Sequence, residues 1–114
     1  RTVHGKTDEA FTYDNNLYFV DENGVMPANQ WVIREGVWYF TSARGGARKS
    51  QWFYYKNNWY YFNDDASMQT GWAEIDGKTY YFQSWGGCVT GTKKIDGTTY
   101  VFDKNGVLLS EKES

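Results

Sequence analysis

Four tryptophans fall in two pairs seven residues apart, Trp31 with Trp38 and Trp52 with Trp59. Indole rings at a repeated interval offer broad apolar faces for stacking, each with a polar edge. Side chains suited to acid–base, nucleophilic or metal chemistry are few. His4 is the sole histidine, without a second His or a Cys as metal partner. Cys88 is the only cysteine and occupies the repeat position that Met26 and Met68 fill, so it reads as a small buried hydrophobe. Asp14, Glu35, Asp76 and Asp96 recur at the repeat interval and belong to turns; a glycosidase-type carboxylate pair is not expected to repeat with the fold. Asp21–Gly24 and Asp103–Gly106 look like half of a calcium loop but lack the downstream glutamate. The expectation is a chain with no catalytic residue, no metal site and no cofactor.

The bulk properties narrow the partners. A net charge of −2 argues against nucleic acid, whose phosphates call for clustered Lys and Arg. The basic run from Arg44 to Lys49 is broken by Gly45 and Gly46 and reads as a solvated loop. No apolar stretch approaches 18 residues, so membrane insertion is not expected. One cysteine excludes an internal disulfide. Aromatic residues make up 20% of the chain while Leu, Ile and Val are sparse, so rings must supply the core.

Those rings are positioned by an internal repeat. Trp31, Trp52 and Trp72 start units that extend back to Ala10 and on to Thr92, giving 10–30, 31–51, 52–71, 72–91 and 92–111. Residues 1–9 form a flank and 112–114 a tail. Eight residues after each start stands Tyr18, Tyr39, Tyr60, Tyr80 or Tyr100. Five after it comes a turn former, and fourteen after it Gly24, Gly45, Ala66, Gly86 or Gly106. Asp76-Gly77 and Asp96-Gly97 are two-residue hairpin turns flanked by β-branched and aromatic residues. Glu35-Gly36, Asp14-Asn15 and Lys56-Asn57 occupy the same place. Helical periodicity is absent. The fold class expected is all-β: a solenoid of about five stacked β-hairpin repeats of 20–21 residues.

A two-residue turn sets the register, so each hairpin's two faces can be read. Positions one, three, eight and ten carry Phe53, Tyr55, Tyr60 and Phe62 in the third unit, an apolar face expected to be the core. Arg34 and Lys93 are its exceptions. Positions zero, two, seven and nine carry Trp31, Ile33, Trp38 and Phe40, then Trp52, Tyr54, Trp59 and Tyr61, and lose their rings in later units. Two roles are open to that second face: a ligand platform, or a seal over the joints between hairpins. Trp85 lies in a loop outside both faces, as an exposed contact or a cover for Gly86-Gly87.

Ser67-Met68-Gln69-Thr70-Gly71-Trp72, Trp59-Tyr60-Tyr61-Phe62 and Ile75 to Phe82 resemble the cell-wall-binding repeat superfamily. Its branches are choline-binding, glucan-binding and clostridial-toxin-type repeats. The resemblance spans roughly 10–111 and implies a solenoid of stacked hairpins with pockets between them. Its choline-binding branch implies one pocket of Trp31 and Trp38 with Tyr61, a second of Trp52 and Trp59 with Tyr81, and Met68 nearby. A quaternary ammonium has no hydrogen-bond donor and is held by ring faces; an uncharged sugar would use them as platforms. Thr79, Thr99 and Thr92 stand where choline-binding units carry Trp, so at most two complete pockets are expected. The resemblance implies a non-catalytic attachment module, extracellular on a bacterial surface, of the kind that also serves as the binding part of a larger enzyme or toxin. Teichoic-acid choline, a glucan or another polysaccharide is the expected partner. The competing expectation is a protein-interaction or spacer segment.

Overall fold

The computed structural model describes residues 8–113, so His4 lies outside the described residues. Every regular element there is a strand. Five antiparallel hairpins follow in order: β1 (Glu9–Tyr13) with β2 (Asn16–Val20), β3 (Trp31–Arg34) with β4 (Val37–Phe40), and β5 (Gln51–Tyr55) with β6 (Asn58–Phe62). Then come β7 (Gly71–Ile75) with β8 (Lys78–Phe82), and β9 (Gly91–Ile95) with β10 (Thr98–Phe102). The all-β repeat of hairpins expected from the sequence is the fold observed.

Each hairpin closes through two residues with positive φ, from Asp14-Asn15 at 51° and 64° to Asp96-Gly97 at 49° and 87°. That is the type I′ geometry, whose twist matches the strands it joins. Glu35 and Lys56 adopt it without being glycine or asparagine, at φ 51° and 46°. A second reversal follows each hairpin and is built alike every time. The N–H of Asp21, Ser42, Asn63, Gln83 or Asp103 donates to the carbonyl four residues on, and its own carbonyl accepts from the residue three on. That third residue has φ between 74° and 101° and is buried, which leaves room for Gly or, once, Ala66.

The chain divides into two compact units. One holds the described residues up to Gln51 together with Phe62–Met68; the other holds Trp52–Tyr61 and the described residues from Gln69 on. Within each, the reversal carries the chain back against the preceding hairpin. In the first, Ala47 N–H donates to the Leu17 carbonyl at 2.8 Å and Met68 N–H to the Trp38 carbonyl at 3.0 Å. In the second, Cys88 N–H donates to the Trp59 carbonyl at 2.9 Å. The residue after each returns to its own hairpin: Arg48 N–H to Phe40, Val89 N–H to Tyr81. The Met-type position is therefore a backbone staple between successive hairpins.

The expected core face is buried: Tyr60, Phe62, Tyr80, Phe82, Ile95 and Phe102 lie within the protein. Thr41 stands where other units have Phe or Val, and its hydroxyl is satisfied by the backbone N–H and carbonyl of Gln30 at 3.1 and 3.2 Å. Of the two expected exceptions, Arg34 pairs with Asp8 at 3.8 Å and Lys93 is exposed. Three expectations need correction. Phe19 and Phe40, assigned to the open face, are buried, because each is the innermost cross-strand ring of a hairpin covered by the next segment. Arg48 and Lys49 are not merely solvated: Arg48 lies over the Phe40 ring at 5.8 Å and bonds Gln51, and Lys49 bonds the Asn15 carbonyl. The expected tail is a strand as far as Glu113. β11 (Leu108–Glu113) pairs with the free edge of β10. It extends the bridge that Phe62 makes with Met68 and Phe82 with Cys88, and covers an edge that would otherwise be open.

Two glycines with the same backbone demand separate strain from crowding. A Cβ at Gly77 meets nothing, whereas one at Gly106 sits 2.5 Å from Cys88 Sγ. Gly77→Ala should cost about 1–2 kcal/mol from left-handed strain alone. Gly106→Ala should cost a further ~1–3 kcal/mol from overpacking. Urea midpoints measure both, and the excess at Gly106 should shrink in the Cys88→Ala background.

Candidate aromatic binding clefts

In these hairpins positions zero and nine face each other across the strands, as do positions two and seven: Trp31↔Phe40 and Ile33↔Trp38, Trp72↔Tyr81 and Glu74↔Thr79. Pleating puts all four on one face. A Trp at seven thus stands diagonal to a Trp at zero, and the two indoles meet edge to face. Trp31 and Trp38 lie 6.2 Å apart at 86°, Trp52 and Trp59 6.3 Å apart at 85°. The same corner of two perpendicular rings is built twice.

The opening Trp also meets the next hairpin. Positions eight and ten point to the opposite face of their own hairpin, and that face receives the preceding Trp. Trp52 lies 4.8 Å from Tyr80 and 5.7 Å from Phe82; Trp72 lies 4.8 Å from Tyr100 and 6.0 Å from Phe102. Trp31 lies 6.0 Å from Phe62. Trp31 and Trp52 are consequently half-buried, while Trp38 and Trp59 remain 40% and 46% exposed. The second face both seals joints and presents rings to solvent.

A cleft of about 280 Å³ opens where Trp52, Trp59, Tyr80 and Asn105 converge. Its walls are rings and its only other lining side chain is a neutral amide. Burial raises the Tyr80 phenol, with Cys88 and Asp103 adding to the effect, so the ring presents no charge below its ordinary pKa. Trp52 and Trp59 come together as expected, but the third ring differs. Tyr81 stands opposite Trp72 at 4.9 Å and Tyr61 lies 5.3 Å from Trp52, each on the opening Trp of its own hairpin. The cross-strand register commits position nine to that partner, so the ring that a following hairpin supplies is at position eight. Met68 is half-buried, its N–H on the Trp38 carbonyl in the staple described above. Asn105 was missed because nothing in a single repeat marks a loop residue two hairpins downstream as cleft lining.

A larger cleft, about 450 Å³, lies beside Trp31 with Phe19, Asp21, Glu22 and Arg34 on its walls. It has one indole and no ring corner. The Asp21 carboxylate caps its own turn, accepting from Asn23 and Val25 N–H at 2.9 Å, and Asp103 does the same for Asn105 and Val107. Both half-calcium-loop motifs are accounted for as turns. Among the described residues no three His, Cys, Asp or Glu side chains gather as a metal site. Trp85 takes both roles open to it: its ring lies across Gly87, where a Cβ would come within 2.1 Å, and it is 49% exposed.

Tandem hairpins with a ring cluster at each opening Trp define an all-β repeat module of the solenoid class. The sequence matches the choline-binding repeat over residues 52–88 and the cell wall binding repeat over 11–26. The choline-binding domain of Spr1274 from Streptococcus pneumoniae is 31% identical, over 75% of this chain and 100% of that domain, with a TM-score of 0.65. Choline-binding protein F of S. pneumoniae is 28% identical over 89% of this chain and 35% of its own, with a TM-score of 0.77. The multimodular pneumococcal cell wall endolysin from phage Cp-1, solved with choline, is 29% identical over 93% of this chain and 31% of its own, with a TM-score of 0.75. No curated protein sequence matches. The chain belongs to the choline-binding repeat family, and it spans about a third of the length of choline-binding protein F and of the endolysin.

Cys88 has a distinct signature. Burial, helped by Asp103, pushes its thiol up to about 11 from an ordinary 9. The thiolate fraction at pH 8 should then be about 100-fold below that of an unperturbed cysteine. Reaction with a disulfide reagent should be slow in the folded chain, fast in urea, and should keep climbing until pH nears 11, where an unperturbed thiol levels off near 9.

Proposed function

We propose that this chain is a non-catalytic attachment module that holds choline groups of a bacterial cell-wall polymer on its ring clefts. The observation that carries this reading is the corner of Trp52 and Trp59 closed by Tyr80. A quaternary ammonium carries no N–H, so it needs polarisable faces rather than acceptors, and each face contributes about 0.5–2 kcal/mol. Trp59 at 85° to Trp52 and Tyr80 at 66° to it offer such a group three ring walls at one cleft. Asn105 stands at the same cleft as a donor for the oxygen that choline carries two carbons from nitrogen. The endolysin solved with choline supports the ligand, and the pneumococcal relatives support a place at the cell surface.

Each contact is weak, so affinity for a polymer comes from repetition. A second ring pair, Trp31 with Trp38, adds a second point of attachment on the same strand of polymer, and multivalency raises the overall affinity without new contacts. Glucan and other polysaccharides are the alternative ligands for stacked rings. The intact protein then uses the module to localise whatever activity or interaction its other parts carry.

Tryptophan fluorescence during titration tests this. Choline should give a saturable change, and Trp59→Ala, which removes an exposed ring, should weaken it ~10-fold while leaving thermal unfolding nearly unchanged. A response to glucan oligosaccharides with none to choline would contradict the reading.

A further inference from the structure

The third ring cluster departs from the first two in one respect with chemical consequences. Trp72 is 40% exposed and has its full set of partners: Tyr81 at 4.9 Å, Tyr100 at 4.8 Å and Phe102 at 6.0 Å. What it lacks is the second indole, because Thr79 stands at position seven. Directly across the strands from Thr79 is Glu74, and Glu74 shares a β7 face with Trp72, two residues along. In the neighbouring cleft the corresponding residue is Tyr54, whose ring leans on Trp59 at 5.0 Å. Here no indole fills that space, and the long side chain nearest to it is a carboxylate. Glu74 is exposed, and among the described residues its carboxylate has no ion-pair or hydrogen-bond partner.

We propose that this third ring cluster takes an ammonium group that carries N–H donors, a protonated primary amine, instead of the quaternary ammonium of the first two; this rests on the reading of the ring clusters as ammonium sites. The physical argument is one of desolvation. A quaternary ammonium loses little on entering an all-ring cage, because it had no hydrogen bonds to give up. A primary ammonium donates three, and leaving them unmet is costly. A cleft walled by rings therefore rejects it. At Trp72 the Glu74 carboxylate and the Thr79 hydroxyl are acceptors on the same face as the indole, so a primary amine keeps charge-assisted hydrogen bonds while its carbon chain lies on Trp72. The missing ring makes the same site poorer for choline.

The test uses the full chain, labelled with nitrogen-15, and follows its indole N–H resonances, with Trp72 assigned by Trp72→Phe. Choline and 2-aminoethanol are titrated separately. The expected result is a saturable shift of the Trp72 resonance with 2-aminoethanol, weakened about tenfold in Glu74→Gln, and a weaker response of that resonance to choline. Glu74→Gln should leave the choline response of Trp59 unchanged, which reports that the variant is folded. A Trp72 resonance silent to 2-aminoethanol, or one that responds to both compounds alike and ignores Glu74→Gln, overturns the proposal. Silence of Trp59 toward choline is a separate failure, that of the reading beneath it.

Discussion

A hairpin of this chain has too little aliphatic surface to close a core alone, so its opening tryptophan must find packing partners on the hairpin that follows. Trp52 on Tyr80 and Phe82, and Trp72 on Tyr100 and Phe102, are the same arrangement written twice. Everything else serves that contact. The type I′ turns hold position zero opposite position nine, the second reversal returns the chain to the preceding hairpin, and the Met-type residue ties the two with one backbone hydrogen bond. Edge-to-face rings leave gaps that aliphatic packing would fill. The cleft at Trp52 and Trp59 is such a gap, so the interaction that builds the core also builds the site.

Where the repeat loses a ring, the two roles come apart. Thr79 removes an indole from the third cluster without disturbing Trp72, Tyr100 or Phe102, because position seven faces solvent while positions eight and ten face inward. Position seven is thus the one cleft ring that the core can lose, whereas Trp52 and Tyr80 serve core and cleft together. The inward set is nearly constant, from Phe62 to Phe82 to Phe102, and the outward set varies from Trp38 to Thr99. Ligand chemistry can therefore change from cleft to cleft at little cost in stability.

Much of this was legible in the residues. Asp76-Gly77 and Asp96-Gly97 announce the turn, the turn sets the register, and the register puts Trp52 and Trp59 on one face. What the register could not supply is the rotation between hairpins. Tyr80 and Tyr81 are adjacent, both aromatic, and point to opposite faces; which one reaches Trp52 depends on how the next hairpin is laid down. The same gap hid Asn105 and the burial of Phe19 and Phe40. β11 was hidden for a different reason: Leu108 makes the same bridge as Met68 and Cys88, but its continuation to Glu113 is a strand because β10 offers it an unpaired edge.

A double-mutant cycle on Trp52 and Tyr80, read by both unfolding and choline affinity, tests the central claim most directly. If one ring contact serves core and cleft, Trp52→Leu and Tyr80→Leu should be coupled in stability by about 0.5–1.5 kcal/mol and should also be non-additive in binding. Additive effects on stability, or coupling in stability with choline affinity untouched, would show that the core and the cleft are separate structures.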